Sequence, residues 1–128
     1  MSQTPSSSPA AFPVTIFHNS RCSNSRGALA LIRERGIEPL IVDYIAEPLD
    51  AESLTALFAQ LAVPVRDLLR SKEAIYVELQ LDDAALGDAE LIAAVAAHPV
   101  LLNRPIVVTP RGAALCRPPE KVLALLPE

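Results

Sequence analysis

Cysteine is scarce in this sequence: Cys22 and Cys116 are the only two in 128 residues. A chain of this length, 51% hydrophobic and 20% charged, buries a core without covalent staples, which excludes a disulfide-bonded secreted scaffold. A reducing compartment, the cytoplasm, is expected instead. The two cysteines and two histidines lie far apart, without C-x-x-C or H-x-x-x-H spacing, so no metal set is expected. Broad positive charge is missing too. A net charge of −4 argues against a nucleic-acid or membrane-surface binder, because both depend on an extended basic field. No long apolar run is present, since the stretch from Leu91 to Leu102 is broken by His98-Pro99 and is too short to cross a bilayer. The opening MSQTPSSSPAAFP lacks the basic and apolar segments of a signal peptide, and residues 1–13 read as a flexible tail. No internal repeat occurs, and 14–128 is expected to be one domain.

What is present has the order of an α/β protein. Val14 to Phe17 is a short β-branched and aromatic run, expected at the centre of a sheet. The polar loop HNSRCSNS (residues 18–25) leads into RGALALIRERG, whose apolar residues recur at helical spacing until Gly36 stops the helix. Pro39 to Tyr44 is a second β-rich run, so the three segments form a βαβ unit with parallel strands. From about 47 to 99 the pattern turns helical, with Asp50 and Asp88 as expected N-caps and no clear strand. Between those two helices, Leu68, Leu69, Ile75, Tyr76 and Leu79 are expected to form an irregular core. The segment 104–117 predicts a hairpin turning at Arg111-Gly112, and PPEKVLALL a closing helix. The expected architecture is a mixed four-stranded sheet in the order β-α-β, helical insertion, β-β-α.

Cys22 carries the chemistry. It follows a strand and opens a helix, where free N–H groups and the helix dipole favour negative charge, so a thiolate is expected near neutral pH. The same place suits an oxyanion. His18, Arg21 and Arg26 add positive charge nearby, and Ser23, Asn24 and Ser25 offer donors. Nine arginines against Lys72 and Lys121 supply the cation best matched to planar oxyanion contacts. Cys22-Ser23-Asn24-Ser25 is C-x-x-S, which leaves an internal dithiol cycle unavailable and requires an external thiol. Ala28 stands where a tyrosine-phosphatase loop carries arginine. Cys116, inside AALC, reads as a packing residue, and Arg104-Pro105 as a place where a cis bond is possible.

Taken together, HNSRCSNSR, NRPIVVTP and LCRPPEKVLALL resemble the glutaredoxin-coupled arsenate reductases and their Spx-like and short reductase-like relatives, over about Val14 to Pro127. Ser20 stands where that family's loop has proline. The resemblance implies a thioredoxin-like fold with the middle block as helical insertion and Cys22 as nucleophile. It further implies that Arg70, Arg104 and Arg117 bind the oxyanion, that His18 and Ser25 tune the thiolate, and that Pro105 is the cis proline. Glutathione would be the co-substrate, glutaredoxin the partner and arsenate the substrate. A glutathione-linked thiol oxidoreductase and a non-enzymatic Spx-like regulator are the alternatives.

Overall fold

The computed structural model describes residues 12–127 of the chain; the tail expected over 1–13 lies, apart from Phe12 and Pro13, outside the described residues. Phe12 does not behave as tail: it is half-buried and packs on a hydrophobic core. The chain divides into two compact units, one built from residues up to Asp43 and from Arg104 onward, the other from Tyr44–Asn103.

The first unit is a four-stranded sheet in the order β2-β1-β3-β4. Strand β1 (Thr15–His18) lies inside, parallel to β2 (Leu40–Asp43) and antiparallel to β3 (Ile106–Thr109), and β3 pairs antiparallel with β4 (Gly112–Leu115). Ile16 pairs with Ile41 on one side and Val107 on the other, and a residue flanked in this way loses all its exposure (0%). The hairpin turn is Pro110-Arg111, one residue earlier than the sequence suggests, because Gly112 already pairs with Thr109. Helix α1 (Ser23–Glu34) starts before the apolar spacing begins, taking in the Ser-Asn-Ser that reads as loop. Its buried face, Ala28 and Ile32, joins Val14, Ile16, Val107, Cys116, Val122 and Leu126 in the core. Gly36, in the left-handed region at φ 76°, ends the helix by donating its N–H to the Arg33 carbonyl at 2.9 Å. The closing helix Pro119–Leu125 is a 3-10 helix. Its buried Val122 and Leu125 are three residues apart, a spacing that three residues per turn stack on one face.

The second unit is helical. Asp50 caps α2 (Ala51–Ala59) by accepting the Ser53 N–H at 2.8 Å, as its position predicts. The cap of α4 (Asp88–Ala97) is Gly87 rather than Asp88: Glu90 reaches back to accept the Gly87 N–H at 2.8 Å, and Asp88 becomes a first-turn acid. Between them lie a 3-10 turn (Val65–Leu68) and the short α3 (Ala74–Glu78). Leu68, Leu69 and Tyr76 are buried there, whereas Leu79 faces outward at 42% exposure. The one extended pairing among the described residues of this unit is a bridge between Leu69 and Leu102. No helix among the described residues is long and apolar enough to cross a membrane.

Candidate active site

The site forms where β1 hands over to α1. The chain leaves the sheet at His18 and turns through Asn19, whose carbonyl accepts the Cys22 N–H and whose side-chain oxygen accepts the Arg21 N–H, each at 3.0 Å. Cys22 is the N-cap of α1, with extended backbone (φ −98°, ψ 123°) and its carbonyl taking the first helical bond, from Arg26 N–H at 3.0 Å. A usual N-cap side chain accepts a hydrogen bond from the first turn; the Cys22 sulfur makes no such bond. The sulfur sits instead at the positive end of the helix, largely buried at 8% exposure.

Ser25 joins the end of the strand to the first turn. Its hydroxyl oxygen accepts the Asn19 N–H at 3.0 Å and lies 2.6 Å from His18 Nδ1, and its own exposure is 0%. Burial pulls the His18 imidazole below its ordinary value of 6.5; the Asp43 carboxylate opposes this, and the Arg33 and Arg26 guanidinium groups reinforce it. The ring is therefore neutral at pH 7. With the proton on Nε2, Nδ1 accepts the Ser25 O–H, and the same hydroxyl oxygen accepts the Asn19 N–H. Arg26 braces the other side of the loop, Nη1 donating to the Ser20 carbonyl at 2.9 Å.

A second arm comes from the far end of the chain. Arg117 follows β4, and its Nη1 lies 3.8 Å from Cys22 Sγ while also donating to the Arg104 carbonyl at 3.0 Å. Arg104 precedes a cis bond to Pro105, whose carbonyl accepts the Cys116 N–H at 2.8 Å. A second cis bond, Arg117-Pro118, lies beside it. The arrangement fixes one guanidinium against the sulfur and ties it to the backbone of a second arginine, thirteen positions earlier in the chain.

Residues 17–125 match the ArsC family. The chain belongs to the ArsC family. It is 46% identical to the arsenate reductase of Rhizobium meliloti (strain 1021) over 115 residues, 90% of this chain and 82% of that one. It is 45% identical to the uncharacterized protein YfgD of Escherichia coli (strain K12) over 114 residues, 88% of this chain and 96% of that one. Among solved structures, the arsenate reductase from Vibrio cholerae superimposes with a TM-score of 0.87 at 45% identity, covering 90% of this chain and 98% of that one. The fold is the thioredoxin-like arrangement of ArsC proteins.

Within this ArsC chain the structure gathers His18, Cys22, Ser25, Arg104 and Arg117 in the first unit. Arg70 lies in the second, where Nε meets the Glu73 carboxylate at 3.0 Å and the backbone N–H bonds the Leu101 carbonyl at 2.7 Å. Cys116 is wholly buried (0%), and burial pushes its thiol up to about 12. Asn19 was not singled out by sequence reasoning; the signal was there, since Asn before two polar residues is the usual sequence of a side-chain-closed turn. Among the described residues, no group of three or more His, Cys, Asp or Glu could hold a metal ion.

Proposed function

We propose that the chain is an arsenate reductase in which Cys22 is the nucleophile, glutathione the co-substrate and glutaredoxin the partner that completes the reduction. The observation that carries this reading is the seat of the Cys22 sulfur, at the N-cap of α1 and 3.8 Å from the Arg117 guanidinium. Two positive partners for one sulfur also suit an incoming oxyanion. The sulfur attacks arsenic, an S–As bond forms, and one hydroxyl leaves as water while Arg104 and Arg117 balance the remaining negative charge. His18 and Ser25 hold the loop and keep the sulfur in line.

The electrons then have to come from elsewhere. Reduction of arsenate to arsenite takes up two electrons, gives one oxygen to water, and turns two thiols into one disulfide. Ser25 cannot supply the second thiol, and Cys116 is held protonated in the core. Glutathione therefore attacks the adduct, and glutaredoxin reduces the resulting mixed disulfide. A reaction that consumes thiols suits the reducing cytoplasm.

Purified protein supplied with arsenate, glutathione and glutaredoxin is expected to release arsenite, with turnover lost in Cys22→Ser and largely kept in Cys116→Ala. Absence of arsenate-dependent thiol oxidation in the wild-type protein would sink the substrate assignment. A glutathione adduct on Cys22 without arsenate turnover would point instead to a thiol oxidoreductase with another substrate.

A further inference from the structure

Helix α1 packs along the closing helix Pro119–Leu125, and Gly27, in the second turn of α1, faces Pro119. A Cβ at Gly27 would stand 2.9 Å from Pro119 Cγ and 3.2 Å from Pro119 Cβ. Neither atom is the free end of a flexible chain: both belong to a ring closed onto the backbone, so relief requires Pro119 itself to move. Two residues before Pro119 stands Arg117, tied at one end to the Arg104 carbonyl at 3.0 Å and resting 3.8 Å from Cys22 Sγ. Five residues before Gly27 stands Cys22. The missing side chain and the sulfur thus share the first turns of one helix, and the proline and the guanidinium share one short segment.

We infer that Gly27 is a positioning residue, whose missing side chain lets Pro119 close on α1 and thereby seats the Arg117 guanidinium against the Cys22 sulfur. Any side chain at 27 pushes the closing segment outward and carries Arg117 with it. Alanine is the better helix former, so glycine at this position reflects the close approach and not the needs of α1. The inference rests on Cys22 being the reactive group, and not on which oxyanion it attacks.

The test compares how fast Cys22 is alkylated by the anion iodoacetate and by neutral iodoacetamide, with modification located by peptide mass. The ratio of the two rates cancels the thiolate fraction and reports a cation beside the sulfur. Arg117→Ala is expected to lower the ratio on the order of tenfold, the effect of removing a unit charge about 4 Å from the sulfur at a partly screened site. Gly27→Ala should lower it in the same direction, should add nothing in the Arg117→Ala background, and should recover when Pro119→Gly removes both contacting atoms. A folded Gly27→Ala protein with the wild-type ratio would overturn the inference, as would a further drop in the Arg117→Ala background. If Gly27→Ala alone does not fold, the Gly27→Ala/Pro119→Gly protein decides: a restored fold with a wild-type ratio supports the inference, and a restored fold with a lowered ratio overturns it. The ratio needs no arsenate, so failure of the substrate assignment would leave this result intact.

Discussion

Residue by residue, the site is legible to unequal degrees. Cys22 stands out because its neighbours are polar and it sits between a strand and a helix. His18 and Ser25 are visible as types, but their pairing at 2.6 Å is not; it depends on the helix starting at Ser23, which folds the first turn back over the end of β1. The His18 ring also makes a testable link between pH and stability. Its folded-state value lies below the ordinary 6.5, so as pH falls through 6.5 the unfolded chain takes up a proton that the folded ring resists. Stability is unaffected by this group above that range and declines with acidification below it. His18→Gln should therefore flatten the fall in melting temperature between about pH 7 and 5. An unchanged acid slope would show that His18 is not the group responsible.

At the scale of elements, local rules were followed where the backbone alone decides. Gly36 and Asp50 end and begin helices as their chemistry requires. No atom lies within 4 Å of a Cβ built at Gly36, so the cost of a side chain there is purely conformational. Gly36→Ala is expected to destabilise the protein by about 1 kcal/mol, the penalty of a left-handed backbone for an L-residue, and Gly36→Asn by less; denaturant melts of the two variants would check the order. Elements that depend on neighbours were harder to read. The closing segment has the composition of an α-helix, yet its packing on α1 and its three-residue burial spacing make it a 3-10 helix. The cap of α4 moved from Asp88 to Gly87 because Glu90, three residues on, competes for the Gly87 N–H.

For the whole molecule, the telling feature is that the first unit is assembled from two distant stretches. Strand β1 meets β3 across the entire second unit in sequence: Ile16 pairs with Val107. Such a pairing forms only after a long loop has closed, which makes it both the sheet's organising contact and its slowest to reach. Ile16, with no exposed surface and partners on both sides, is the position where loss should be felt most. Ile16→Ala is expected to cost about 2–5 kcal/mol and Ile16→Val about 0.5–1.5 kcal/mol, read as shifts in the denaturation midpoint. A cost for Ile16→Ala no larger than that for Ile16→Val would mean that the sheet centre is not where the first unit's stability resides.

Taken alone, the sequence determined the reactive group and the order of elements, because both are written in short-range terms: a cysteine at a strand-to-helix junction, periodic apolar residues, caps and turn formers. The C-x-x-S spacing likewise ruled out an internal dithiol without any coordinates. The family resemblance narrowed nine arginines to Arg70, Arg104 and Arg117, and only the tertiary structure decided that Arg117 approaches that cysteine. Arg117 is 95 positions away, and its place depends on β4 pairing with β3, β3 with β1, and the closing segment seating on Gly27. None of these contacts leaves a local mark, since each is a match between surfaces that the chain brings together only when it folds.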